Sequence, residues 1–248
     1  MARIFITGSS AGLGQLAAEL LIHQGHQVVL HARNEKRAQH ALVSLPDAEN
    51  VLTGDLASIE ETKQLAADVN ALGRFDAVIH NAGIDRSPGK EILAVNTLAP
   101  YILTCLIQKS QRLIYISSDM HLQGHPSLEH LTSRKAGTSY SDSKLYMMLF
   151  MKAVARKWPD VYANAVDPGW VPTKMGGPNA PDDLEKGFET QAWLAVSADD
   201  KAKVSGRYFY HRREAKYNPE ADNIALQDEF LATCEQITGV RFPIGQKS

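Results

Sequence analysis

Two kinds of apolar pattern alternate along the chain. Short runs, RIFIT, HQVVLHA, NVLTGD, FDAVIHNAG, RLIYISS, VYANAVDPG and GRYFYH, are apolar or β-branched. Most of the stretches between them, such as GQLAAELLIHQG and SIEETKQLAADVNALG, place apolar residues at helical spacing. A strand without a polar face is buried on both sides, so this alternation predicts a parallel sheet covered by helices on both faces. The expected architecture is α/β, a doubly wound parallel sheet in a single domain spanning residues 1–248. Ligands of such sheets bind beyond the carboxyl ends of the strands, which makes the polar residues closing each run the candidate site. One stretch breaks the rhythm. DPGWVPTKMGGPNAPDD, residues 167–183, holds four prolines and three glycines and cannot be a helix or a central strand. It predicts a substrate loop that closes as a lid, over residues 168–190.

Composition narrows the partners without changing this picture. A formal charge of −2 and an apolar content of 44% over 248 residues are those of a globular protein with one large core, and they argue against nucleic acid or a membrane surface as partner. A small-molecule substrate is expected instead, and a homo-oligomer stays open. Cys105 and Cys234 both fall in apolar helical contexts and read as inert core thiols of a reducing compartment, not as a disulfide. The first residues lack a signal-peptide core and no stretch reaches membrane-spanning length, so a cytoplasmic location is expected.

Directly after the first strand comes TGSSAGLG, with Gly8, Ser10, Gly12, Leu13 and Gly14 leading into the first helix. Glycines permit a tight turn and close approach of a pyrophosphate, whose charge is favoured by the free N–H groups and dipole of the helix N-terminus. Nineteen residues beyond Gly14, where an NAD-preferring fold offers a carboxylate to the ribose 2′-hydroxyl, stands Arg33. Its guanidinium fork suits a 2′-phosphate, and His31, Lys36 and Arg37 add positive character nearby. The reading is NADP(H) as preferred cofactor, with NAD(H) open.

The chemistry is read from TSYSDSKLYMMLF. A helix over residues 139–157 places Tyr140 and Lys144 one turn apart on one face. A tyrosine with its usual pKa of about 10 is a poor base at neutral pH, and a neighbouring ammonium favours the phenolate, so Lys144 is expected to activate Tyr140. The pair could equally be ordinary helix-surface neighbours on spacing alone.

Gly8-x-x-x-Gly12-x-Gly14, GDL at 54–56, HNAG at 80–83, AVN at 94–96, ISS at 116–118, Tyr140-x-x-x-Lys144 and DPGWVPT at 167–173 resemble, in order, the motifs of the short-chain dehydrogenase/reductase family. The resemblance runs from residue 4 to about residue 240. It implies a Rossmann fold and an oxidoreductase in which Asp55 and Leu56 contact adenine and Asn81, with Ala82 and Gly83, borders the adenosine ribose. Pro168, Gly169 and Thr173 would meet the nicotinamide end. Tyr140 would be the general acid and base, Lys144 would also contact the nicotinamide ribose, Ser118 would hydrogen-bond the substrate oxygen, and Asn96 would hold a water linking Lys144 to solvent. Ser117 remains a rival to Ser118, because strand register decides which hydroxyl faces the pocket. The connection from Asn81 to Asn96 is short and that from Ser118 to Tyr140 is long. The long spacing, with YSDSKL, WLA and GRYF, looks most like the retinol-dehydrogenase-like branch.

His121, His125 and His130 in the long connection lack familiar zinc-site spacing, so no metal is expected. The basic run HRREAK at 211–216 reads as a solvated face. The leading function is an NADP(H)-dependent carbonyl reductase or alcohol dehydrogenase acting on a small to medium apolar ketone, aldehyde or alcohol. A non-catalytic NADP(H) sensor and, less well, a nucleotide-sugar epimerase or dehydratase are the alternatives. Ala11 stands where the epimerase-type glycine pattern needs glycine.

Overall fold

Every apolar run becomes a strand because both of its faces find helices. The computed structural model describes residues 1–132 and 137–243. Its strands are β1 (Arg3–Ile6), β2 (Gln27–Ala32), β3 (Asn50–Thr53), β4 (Ala77–His80), β5 (Arg112–Ile116), β6 (Tyr162–Asp167), β7 (Tyr208–Tyr210) and β8 (Arg213–Glu214). They form one sheet in the order β3-β2-β1-β4-β5-β6-β7-β8, parallel except for β8. The short β8 pairs antiparallel with β7 through a turn in which His211 and Arg212 take φ of 48° and 60°. Arg213 and Glu214 of the basic run form this edge strand and are exposed, as a solvated face requires.

The helices are α1 (Gly12–His23), α2 (Glu35–Ser44), α3 (Ile59–Ala71), α4 (Gly89–Leu93), α5 (Ala99–Leu106), α6 (Glu129–Thr132), α7 (Tyr140–Lys157), α8 (Leu184–Val196) and α9 (Ile224–Thr238). Strand alternation sorts them into two layers. Ile4 and Ile6 of β1 join Ala18, Leu21, Ala41 and Leu194 in a core under α1, α2 and α8. Phe5, between them, joins Leu65, Leu103, Phe150 and Phe230 in the core under α3, α5, α7 and α9. Burial at about 25 cal/mol per Å² of apolar surface makes these two cores the main stabilising term.

Three local features set the functional ends. Ser139 accepts from the Asp142 N–H while the Asp142 carboxylate accepts from the Ser139 N–H, a capping box that starts α7 at Tyr140. Between α4 and α5 the chain makes a π-helical turn over Ala94–Leu98, which carries Asn96. The loop after β6 ends at Asp183, whose side chain caps α8. Residues 184–190 of the expected lid are therefore helix, with Gly187 and Thr190 buried. No described helix is long and apolar enough to cross a membrane. Cys105 is half-buried, Cys234 is buried, and both thiols are free.

Candidate active site

The glycine turn after β1 is shaped by contacts that exclude a side chain at Gly8 and Gly14. Gly8 has φ of 64°, and a Cβ on it would sit 2.9 Å from Ala82 Cα. A Cβ on Gly14 would sit 2.4 Å from Asn81 Nδ2 and 2.7 Å from Gly8 O. This closeness lets Asn81 Nδ2 donate to Thr7 O at 3.0 Å and Gly8 O at 3.2 Å, while Ala82 N–H donates to Thr7 Oγ1 at 3.0 Å. Helix α1 then starts without a side-chain cap, and its first N–H groups have no acceptor within the helix. Ser10 and Leu13 lie half-buried beside this opening. A tight glycine cradle at an uncapped helix N-terminus fits a pyrophosphate.

At the other end of this half, Arg33 Nε and Nη2 lie 2.9 and 2.8 Å from Asp55 Oδ2. The sequence expects Arg33 and Asp55 to meet different parts of a cofactor, and the fold joins them to each other. The Arg33 side chain is 66% exposed, and an exposed pair of this kind is worth only about 0–1 kcal/mol. Asp55 Oδ1 also accepts from Ala57 N–H, and Leu56 is buried beneath. Lys36 and Arg37 are exposed on α2, whereas His31 is buried. Burial lowers the His31 pKa to about 4, so it is neutral and adds no positive character here, a correction to the sequence reading.

The second half of the site forms where β4, β5 and β6 end. Asn96 is held by both backbone groups of Ile84: its Oδ1 accepts from Ile84 N–H and its Nδ2 donates to Ile84 O, each at 2.9 Å. Nδ2 also donates to Ser143 Oγ at 3.0 Å, so both amide hydrogens are engaged. A Cβ on Gly83 would lie 3.6 Å from Asn96 Oδ1 and 3.6 Å from Lys144 Nζ, which puts those two side chains around the same glycine. Lys144 is 5% exposed and donates to Ile116 O at 2.8 Å. Its Nζ stands 5.2 Å over the Tyr140 ring.

Strand register separates the two serines. Ser117 Oγ donates to Lys144 O at 3.1 Å on the helix side. Ser118 is the serine whose hydroxyl influences Tyr140, and its Oγ donates to Asp119 Oδ1 at 3.0 Å. Burial pushes the Tyr140 phenol up, the carboxylates of Asp85, Asp167 and Asp119 push the same way, and Ser118 opposes them. The expected downward pull of Lys144 on Tyr140 is not what the fold produces. Burial lowers Lys144 itself to about 8, against the opposing charge of Asp167.

Several supporting residues are absent from the sequence reading. Asp167 accepts from Gly169 N–H at 2.8 Å and from Tyr208 OH at 3.0 Å, and burial raises its pKa. His121, to which the sequence assigns no role, is fully buried, with Nδ1 2.5 Å from Ser118 O and Nε2 accepting from Asn218 N–H. Pro168 and Gly169 open the loop after β6. Asp182 pins it by accepting from Trp170 N–H at 2.7 Å, and Thr173 Oγ1 accepts from Gly176 N–H at 3.3 Å. His125 N–H donates to Asp142, and the His130 side chain lies outside the described residues. Among the described residues no group of three or more His, Cys, Asp or Glu is arranged to hold a metal ion.

A family model for short chain dehydrogenases matches residues 2–184. The chain belongs to the short-chain dehydrogenase family. The chain is similar to an uncharacterized oxidoreductase of Emericella nidulans, 46% identical over 99% of this chain and 100% of that protein. Human retinol dehydrogenase 13 is 28% identical, covering 97% of this chain and 85% of its own, consistent with the branch that the motifs resemble. A short chain dehydrogenase from Shigella flexneri, solved as a complex with NADP, superposes with a TM-score of 0.67 at 25% identity, over 86% of this chain and 97% of that one. As a short-chain dehydrogenase, the protein is an oxidoreductase enzyme.

The cradle makes one structural prediction. Gly14→Ala should cost about 3 kcal/mol of unfolding free energy, because its methyl meets Asn81 and Gly8 O. Gly12→Ala should cost about 1–2 kcal/mol, because a Cβ there meets nothing and only φ of 61° opposes it. Denaturant melts without cofactor check the order, and equal costs contradict the packing account.

Proposed function

We propose that this enzyme is an NADP(H)-dependent carbonyl reductase or alcohol dehydrogenase for a small to medium apolar ketone, aldehyde or alcohol. The observation that carries the reading is the convergence of Ser118, Tyr140 and Lys144 at the strand ends beside a glycine cradle. When bound, the nicotinamide supplies the hydride. Tyr140 holds the proton that the new alkoxide needs, and its raised pKa keeps that proton in place at neutral pH. Ser118 turns its hydroxyl from Asp119 to the substrate oxygen and stabilises the developing charge. Lys144 contributes positive charge at the Tyr140 ring, and Asn96 fixes the backbone of Ile84 around Gly83 and Lys144.

Arg33 receives the 2′-phosphate. A charge-assisted bond is worth about 1.5–3 kcal/mol, more than the exposed pair with Asp55 that it replaces. The NADP complex of the Shigella flexneri relative supports this choice. Trp170, Met175 and Leu122, 60%, 39% and 53% exposed, give the loops after β6 and β5 apolar surface for a substrate. Asp85, Asp119 and Asp167 disfavour an anionic one. The lid is the loop 168–183, hinged where α8 begins.

Three measurements check this reading. Tyr140→Phe should retain NADPH binding and lose at least about a thousand-fold in reduction rate, as expected when a general acid is removed; near-native turnover contradicts the role. Arg33→Ala should weaken NADPH by about ten-fold or more while NADH changes little; equal effects on both contradict the 2′-phosphate contact. The pH profile follows from Lys144, which is charged below about 8 and neutral above it. Reduction, measured as kcat/KM, should be level below pH of about 8 and fall as pH rises through it. A rate that climbs through that range contradicts the assignment.

A further inference from the structure

His31 is a buried titratable group that the reaction does not use. Its neighbours define its state. Nδ1 lies 2.9 Å from Gly8 N, which can only donate, and Nε2 lies 2.9 Å from Gly54 O, which can only accept. The ring is therefore the neutral tautomer with the proton on Nε2. Its backbone is tied to the same turn: His31 N–H donates to Ser9 Oγ at 2.9 Å, Ser9 N–H donates to His31 O at 3.1 Å, and Ser9 Oγ donates to Ile6 O at 2.8 Å. The Phe5 ring meets the imidazole edge-on at 6.5 Å. Asp55 is the charged group that acts on it.

Strands β3, β2 and β1 are neighbours, and their regular ladder stops where the cofactor crevice starts. His31 stands on the middle strand and bonds to the chain leaving each outer one. We propose that His31 is a positioning residue for the pyrophosphate cradle, its imidazole bracing the Gly8 turn against the end of β3 so that the amides opening α1 are set before NADP(H) arrives. This rests on the cofactor reading above. The bond to Gly8 is the critical one, because Gly8 sits at a positive φ against Ala82 with no side chain of its own to hold it.

Asparagine and glutamine separate the two ring nitrogens, since an asparagine amide oxygen reaches the place of Nδ1 and a glutamine amide nitrogen that of Nε2. NADPH dissociation constants are measured by fluorescence titration well below the melting temperature of each variant. His31→Phe, which keeps ring volume and loses both bonds, should weaken NADPH by about ten-fold or more. His31→Asn should stay within about three-fold of the native protein, and His31→Gln should weaken binding as His31→Phe does. Phe230→Leu, in the far core, should lower the melting temperature without moving the constant. Native-like binding by His31→Phe, or equal losses in His31→Asn and His31→Gln, overturns the brace. Should His31→Phe not fold, the order of His31→Asn and His31→Gln decides alone. Failure of the native protein to bind NADPH overturns the cofactor reading, and this inference with it.

Discussion

The buried ammonium of Lys144 is the constraint on which the rest of the site depends. A cation almost removed from water is costly unless it is hydrogen-bonded, and here Ile116 O at 2.8 Å meets that need. To reach that carbonyl, α7 must lie against the end of β5. The capping box of Ser139 and Asp142 and the bond from Ser117 Oγ to Lys144 O hold it there. Asn96 and Gly83 close the other side. Burial also sets the electrostatics, lowering Lys144 to about 8 and raising the Tyr140 phenol. The free site is thus poised with the proton on tyrosine, which suits delivery of that proton to a reduced carbonyl.

The sheet explains why this chemistry gathers at one edge. Strands buried on both faces are mostly apolar along their length, and Asn81, Ser118 and Asp167 stand after the last apolar residues of β4, β5 and β6. The cofactor half obeys the same logic under a tighter steric rule. Gly8 and Gly14 are required because Ala82 and Asn81 occupy the space a side chain would fill.

Much of this was legible in the chain itself. Seven apolar runs predict seven strands in place, and the spacing of Tyr140 and Lys144 on one helical face survives folding because both residues belong to one local element. What escaped depends on contacts between distant segments. The pairing of Arg33 with Asp55 joins β2 to the end of β3, and His121 reads as a loop histidine until Tyr208 and Asn218 close over it. Ser117 and Ser118 could not be separated before the strand register was known. The direction of the Tyr140 shift escaped for a related reason: spacing reports the neighbouring lysine, whereas burial and three carboxylates from other segments decide the outcome. The two-residue β8 is too short to announce itself by pattern.

The reaction proposed for this site passes hydride between a nicotinamide and a carbonyl carbon at Tyr140. NADPH deuterated at the reactive nicotinamide carbon, incubated with the native enzyme and a panel of uncharged apolar ketones and aldehydes, tests it most directly, with products read by mass spectrometry. The product should be an alcohol carrying deuterium on the former carbonyl carbon. Alcohol formed without deuterium, or no alcohol from any member of the panel while NADPH binds normally, would contradict it.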